Sequence, residues 1–137
     1  MKKYRCPVQV RFVDLDGYFH VNHANYVSYL EIARISFFRE HLDDFFTTLY
    51  NNGILILLRK LDIKYVKSIG LYDNIFVEMW VKKVKNIIFT FKYNIVDDNK
   101  NIYSIAETEL AVYDNLEKKP TKIPKSLLEV LYNYLEK

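Results

Sequence analysis

The first hydrophobic residues of the chain alternate with polar ones. Between residues 5 and 13, Val8, Val10 and Phe12 occupy every second position. Successive side chains of a β-strand point to opposite faces of its sheet, so this spacing predicts a first strand with one apolar face.

After a turn rich in polar residues, the spacing becomes that of a helix. From Asn25 onward, apolar residues recur three or four positions apart, at Tyr26, Leu30, Ala33 and Phe37. This interval places them on one face of a long helix. Asn22 or Asn25 is suited to cap its start, because an asparagine side chain accepts hydrogen bonds from the first N–H groups of a helix.

The rest of the chain contains apolar runs typical of strands, bounded by polar turns. These runs cover residues 54–58, 61–66, 75–81, 86–96 and 102–113. The polar stretch 97–100 and the pair Lys85–Asn86 predict two hairpin turns. Residues 41–52 fit either a second short helix or an extension of the first, and end at Asn51, Asn52 and Gly53. Leucines at helical spacing between 124 and 137 predict a terminal helix.

This order of elements predicts an α+β fold. We expect a curved antiparallel sheet of about five strands wrapped around one long central helix, plus a C-terminal helix. Half of the 137 residues are hydrophobic, which is enough for a single domain over residues 1–137. Such a sheet leaves apolar edges or faces that self-association would cover, so we expect a homodimer or homotetramer.

Composition excludes several classes of protein. Twenty basic and 17 acidic residues leave a net charge of only +3, so we expect no nucleic-acid partner. The single cysteine, Cys6, cannot form an internal disulfide, which fits a reducing compartment. No apolar run is long enough for a signal peptide or a membrane span. We therefore expect a cytoplasmic protein without a membrane span.

The stretch from residue 14 to residue 34 concentrates polar chemistry where the long helix begins. The side chains concerned are those of Asp14, Asp16, His20, Asn22, His23, Asn25 and Tyr26. On an extended backbone, the carboxylates of Asp14 and Asp16 share one face. Unpaired N–H groups at a helix start can hold a carbonyl oxygen that gains negative charge, and a nearby carboxylate can attack that carbonyl or activate water. This combination suits acyl transfer to water.

Other interpretations remain open from spacing alone. Asp and Asn residues before a helix are ordinary caps and turn formers, which is the first interpretation of an isolated Asp-x-Asp. A metal site at His20 and His23 with the upstream acids ranks lower, because only His41 and Cys6 could add a further nitrogen or sulfur ligand. A nucleophilic serine or cysteine has less support, since the chain lacks a Gly-x-Ser-x-Gly motif.

The run VRFVDLDGYFHVNHANYVSYLEIAR, residues 10–34, resembles the signature of hotdog-fold thioesterases of the 4-hydroxybenzoyl-CoA thioesterase type, which include short bacterial acyl-CoA thioesterases. The matching elements are Asp14, Asp16, His20, Val21, Asn22, His23, Tyr26, Glu31, Ala33 and Arg34. The resemblance continues over residues 64–93 and 106–124. The chain departs from it at Ser68 and Ile69, where many members carry Pro-Ala, and at Tyr72, where glycine is usual.

The resemblance implies hydrolysis of an acyl-CoA thioester to the free acid and coenzyme A, without a cofactor or a metal. Asp16 matches the catalytic carboxylate, as nucleophile or general base, and His23 would position water or substrate. Asn22 and Tyr26 would contact the substrate, and Lys85, in the turn after the third strand, would bind the phosphates of coenzyme A. An acyl-carrier-protein thioesterase and a non-catalytic acyl-binding hotdog module are the alternatives.

Three further residues of the stretch have structural interpretations. Asp14 would cap the turn or pair with Arg11. Glu31 and Arg34, three positions apart on the helix, would form an ion pair. Some hotdog enzymes carry their reactive carboxylate on the central helix, which makes Glu31 the second candidate after Asp16.

Overall fold

A computed structural model of the chain describes residues 1–42 and 45–137, without the side chains of residues 45 and 46. The strands are β1 (Tyr4–Val8), β2 (Ile54–Tyr65), β3 (Ile75–Lys85), β4 (Ile88–Asp97), β5 (Ile102–Asp114) and β6 (Lys119–Pro120). The helices are a 3-10 helix (Phe12–Asp14), α1 (His23–His41), α2 (Phe45–Asn51) and α3 (Lys125–Asn133).

The strands form one antiparallel sheet in the order β1-β3-β4-β5-β2, with β6 paired to β5. The sheet is curled around the long helix, as the pattern of hydrophobic residues predicts. The runs 54–58 and 61–66 belong to a single strand, because a bulge at Arg59 interrupts the pairing of β2 with β5 without ending it.

The helices bury the residues that the periodicity selects. Leu30 and Ala33 of α1 are fully buried, and the ring of Phe37 lies 5.5 Å from that of Phe91 on β4. Leu127 and Leu131 of α3 are fully buried as well. Within residues 1–42 and 45–137, no helix has both the length and the apolar composition needed to cross a bilayer.

The first strand is shorter than predicted. Val8 and Val10 are buried, but β1 ends at Val8 and Phe12 is 68% exposed. The alternation breaks because residues 12–14 turn into the 3-10 helix, which rotates the Phe12 side chain out of the sheet's register.

Both ends of the helical region follow the predicted signals. Asn22 is the N-cap of α1, and its Oδ1 accepts the N–H of Ala24 at 2.9 Å. In the segment 41–52, residues 43 and 44 lie outside the described residues, and residues 45–51 form the separate helix α2. Gly53 follows with a φ of 75°, in the left-handed region where only glycine is free of steric cost.

A buried carboxylate connects the 3-10 helix to α1. Asp14 is 2% exposed. Its Oδ2 accepts the Tyr29 hydroxyl at 2.7 Å and the Arg11 backbone N–H at 3.0 Å, while Oδ1 accepts Nη2 of Arg11 at 3.0 Å. Burial alone would raise the pKa of Asp14, but the hydrogen bonds from Tyr29 and Arg11 outweigh it and lower the pKa. Both structural roles expected of Asp14, capping the turn and pairing with Arg11, are confirmed.

The turn after the 3-10 helix contains a strained residue. Phe19 has a φ of 59°, although a side chain in the left-handed region clashes with its own backbone. Gly17, two positions earlier, does not use that region, and a Cβ there would meet no atom within 4 Å. The N–H of Phe19 donates to the carbonyl of Asp16 at 3.1 Å, which keeps the turn closed.

Replacing Asp14 by asparagine should lower the free energy of unfolding at pH 7 by about 2 kcal/mol, because three donors lose their charged acceptor. The pKa of Asp14 is lower in the folded state than its ordinary 3.8, so its contribution is complete above that pH and is lost as the pH falls through the folded value. The deficit of the variant should therefore stay constant from pH 7 down to 3.8 and shrink below that pH. Urea unfolding followed by circular dichroism measures it.

Asp98→Asn is the matched control. The Asp98 side chain is 61% exposed, and its contact with Arg5 is long, at 3.5 Å. It should change the unfolding free energy by less than about 0.5 kcal/mol. A deficit of Asp14→Asn that stays constant from pH 7 to pH 3 would contradict the role given to its charge.

Phe19→Gly should raise the free energy of unfolding by about 1 kcal/mol, since it removes the left-handed strain. The Phe19 side chain is 65% exposed, so little burial is lost. Phe19→Ala is the control, because alanine loses the ring and keeps the Cβ. Thermal unfolding of both variants measures the gain in stability. Equal gains in Phe19→Gly and Phe19→Ala would mean that backbone strain at residue 19 is not the cause.

Candidate active site

A cavity of about 280 Å³ lies between the turn that precedes α1 and the segment that follows β2. Six residues between Asp16 and Tyr26 form one wall, and residues 65–68 form the other. The walls are joined by backbone pairing, since the N–H of Val21 donates to the carbonyl of Ile69 at 2.8 Å and His20 forms a bridge with Gly70. The start of α1 is thereby fixed against the sheet.

Asp16 lines this cavity with its carboxylate held by its own turn. Its Oδ1 accepts the backbone N–H groups of Tyr18 at 2.8 Å and His20 at 3.3 Å. Its backbone N–H donates to the carbonyl of His20 at 2.8 Å. Among the residues that the structure describes, none donates to Oδ2. One carboxylate oxygen therefore orients the group, and the other is open to a ligand.

The start of α1 provides one backbone N–H group without a partner. The N–H of Asn22 donates to the carbonyl of Asp14, and that of Asn25 to the carbonyl of Asn22, both at 2.9 Å. The N–H of Ala24 is bound by the Asn22 side chain. Within the described chain, the N–H of His23 has no acceptor. It points from the positive end of the helix dipole, where a negatively charged oxygen is stabilised.

The histidine and tyrosine predicted at the site both line the cavity with Asp16. The His23 side chain is exposed, whereas Tyr26 is 3% exposed. The hydroxyl of Tyr26 donates to the carbonyl of Lys67 at 3.1 Å and accepts the N–H of Ile69 at 3.2 Å. Burial raises the pKa of Tyr26. Its hydroxyl thus anchors the opposite wall.

Tyr65 and Lys67 are among the cavity residues that sequence reasoning missed. The Tyr65 ring lies 4.8 Å from that of His23 and 4.9 Å from that of Tyr26. The Lys67 ammonium lies 4.9 Å from the ring centroid of Tyr103. Nothing local marks these residues, because they meet the site only when the end of β2 packs against the start of α1.

The structure does not bring the other candidates to this cavity. Asn22 acts as the helix cap and is not among the cavity residues. Lys85 lines a different cavity of about 200 Å³, together with Lys122. The carboxylates of Asp14 and Asp16 do not share a face, because the 3-10 helix replaces the extended backbone that the prediction assumed.

Glu31 and Arg34 form the expected ion pair, with Nη2 and Oε2 4.0 Å apart. The Glu31 side chain is 64% exposed, and Arg34 is buried and also donates to the hydroxyl of Tyr93 at 3.3 Å. Within the described residues, no three His, Cys, Asp or Glu side chains are grouped so as to hold a metal ion. The cavity itself is lined by Asp16 and His23, the first residue of α1.

Known proteins resemble this chain over nearly its whole length. The acyl-CoA thioester hydrolase YbgC of Escherichia coli is 28% identical over 127 residues, which cover 91% of this chain and 92% of that protein. The acyl-CoA thioesterase YbgC of Haemophilus influenzae is 29% identical over 124 residues, 90% of each chain. The solved 1,4-dihydroxy-2-naphthoyl-CoA thioesterase of Synechocystis has the same fold, with a TM-score of 0.88 at 15% identity over 96% of this chain and 97% of that one.

The sequence profile of the thioesterase-like superfamily matches residues 10–131, which include the 3-10 helix, the cavity and the four long strands β2 to β5. The predicted hotdog fold, a curled antiparallel sheet around one long helix with a C-terminal helix, is confirmed. This chain belongs to the thioesterase-like superfamily and is a hotdog-fold thioester hydrolase.

Proposed function

We propose that this protein hydrolyses an acyl-CoA thioester to the free acid and coenzyme A, with Asp16 as the reacting carboxylate. The observation that carries the proposal is the meeting of two groups at one cavity. These are the carboxylate of Asp16, with Oδ2 open among the described residues, and the unpaired N–H of His23 at the positive end of α1. Thioester hydrolysis requires this pair, an electron-rich oxygen and a donor for the oxyanion.

In the proposed reaction, the thioester oxygen accepts a hydrogen bond from the N–H of His23. As nucleophile, Asp16 attacks the carbonyl carbon, the C–S bond breaks, and the thiolate leaves and takes up a proton. Water then cleaves the mixed anhydride and restores the carboxylate. As general base, Asp16 instead takes a proton from the attacking water, and this proton passes to the departing thiolate. Both routes need the carboxylate ionised.

The neighbouring side chains have supporting roles in this proposal. The exposed imidazole of His23 is available to orient water or the substrate, and the Tyr26 ring forms a wall of the cavity. Lys67, a basic residue, lies on the opposite wall. Contact between Lys85 and the phosphates of coenzyme A stays a prediction, as does direct binding of the substrate by Asn22.

Coenzyme A is proposed as the carrier because it is the carrier in the names of the relatives from Escherichia coli and Haemophilus influenzae. An acyl carrier protein would deliver the same phosphopantetheine arm and thioester, so it remains the alternative. An acyl-binding module without activity would have no use for an open carboxylate in the cavity that also contains the helix start. A cytoplasmic location also stays a prediction.

We further propose that the protein is a homodimer or homotetramer assembled through β2. This strand lies at the end of the sheet order, so one of its edges pairs with no described strand. It carries Leu57 and Leu58, which are 43% and 45% exposed. An apolar edge strand of 12 residues is a surface that a second copy can cover.

Asp16→Ala and Asp16→Asn should lower the rate of thioester cleavage by at least about 10²-fold, because either replacement removes the reacting oxygen. Release of free thiol, followed with a colorimetric reagent over short, long and aromatic acyl-CoAs, measures the rate and the acyl preference together. The same acyl groups carried by an acyl carrier protein distinguish the two donors. Asp62→Asn, an exposed aspartate of β2, is the matched control.

Wild-type rates in Asp16→Ala would refute the assignment of the reacting carboxylate. Single turnovers in ¹⁸O-labelled water separate the two routes. Label found by mass spectrometry in the tryptic peptide 12–34 assigns the nucleophile route, because only a mixed anhydride exchanges the oxygens of Asp16.

Light scattering should give the wild-type protein the mass of a dimer or a tetramer of the 16.5 kDa chain. Leu57→Lys should reduce that mass, since a charge at the apolar edge opposes burial. Leu116→Lys is the control, as Leu116 is 76% exposed and lies beyond β5. A monomeric wild-type protein would refute the assembly, and an unchanged Leu57→Lys oligomer would refute its location.

A further inference from the structure

The tyrosine at the end of β2 contacts the first turn of α1 in three ways. The Tyr65 ring meets the rings of His23 and Tyr26 edge to face, at interplanar angles of 82° and 78°. Its hydroxyl donates to the backbone carbonyl of His23 at 3.1 Å. Tyr65 therefore holds both the side chain and the main chain of the first residue of the helix.

The contacted residue, His23, is the one whose backbone N–H is the proposed oxyanion donor, so its orientation sets the direction of that N–H. The unpaired N–H of His23 and the carbonyl that Tyr65 binds flank the same α-carbon. A hydrogen bond to that carbonyl and a ring against the imidazole limit the rotation of the residue. Because a catalytic donor must be aimed within a few tenths of an ångström, restraint of this kind affects rate more than affinity.

No other described contact restrains the side chain and the carbonyl of His23 in this way. The hydroxyl of Tyr26 is used by Lys67 and Ile69, so it holds the opposite wall and not the helix start. The Asn22 side chain binds the N–H of Ala24, one residue further along. Tyr65 is also 41% exposed, which leaves it poorly suited to be a core residue.

We infer that Tyr65 is a positioning residue, which orients His23 so that its backbone N–H meets the developing oxyanion of the thioester. The inference rests on the proposed function for the identity of the donor. It assigns to β2, the edge strand, a direct part in the geometry of the active site. Two separable elements contribute, the hydroxyl through its hydrogen bond and the ring through its contacts.

Two variants separate these elements. Tyr65→Phe removes the hydroxyl and should lower kcat about threefold. Tyr65→Leu removes the ring as well and should lower kcat about tenfold, with KM within about twofold of the wild type. Tyr72→Leu is the matched control, because Tyr72 is 95% exposed and outside the cavity. Circular dichroism checks that each variant is folded.

A second readout does not depend on catalysis. In ¹⁵N-labelled protein without substrate, the backbone amide signal of His23 should shift in Tyr65→Phe and Tyr65→Leu, and stay in place in Tyr72→Leu. The inference is overturned if that signal does not move, if kcat is unchanged, or if only KM rises. If Asp16→Ala were fully active, the proposed function would fail while the amide measurement would still report whether Tyr65 restrains His23.

Discussion

The buried carboxylate of Asp14 is the interaction on which the rest of the site depends. It accepts hydrogen bonds from Tyr29, in the second turn of α1, and from Arg11, at the start of the 3-10 helix. Its backbone carbonyl accepts the N–H of Asn22 and Nδ2 of Asn25, both at 2.9 Å. A single residue thus holds the entry to the turn, the helix cap and the body of the helix together.

This arrangement divides two neighbouring acids between structure and chemistry. Asp14 is enclosed and fully hydrogen-bonded, so it serves the fold, and a change in its charge would loosen the turn. Asp16, two residues later, is restrained through Oδ1 alone and lines a cavity that contains the helix start. A carboxylate that is held but not saturated is suited to react, because its position is fixed in advance and one oxygen stays available.

The same turn also contains strain and depends on the edge of the sheet. Phe19 adopts a left-handed conformation, which is tolerated because hydrogen bonds of Asp16 close the turn on both sides. The opposite wall of the cavity follows β2, so the site combines the N-terminal part of the chain with an edge strand that comes next to it only through the curl of the sheet. The assembly proposed at that edge would therefore involve the same strand as the cavity.

The sequence by itself determined the elements and marked the polar stretch that lines the cavity. Hydrophobic spacing has a period of two in strands and 3.6 in helices, so the long strands, α1 with its Asn22 cap and α3 could be predicted, and local motifs marked Asp16, His23 and Tyr26. Tertiary structure alone decided the early end of β1, the separation of Asp14 from Asp16, the placement of Lys85 at a different cavity, and the contacts of Tyr65 with the start of α1. These features depend on which surfaces meet after the sheet curls around the helix. Contacts between residues 40 positions apart leave no periodic trace in the sequence.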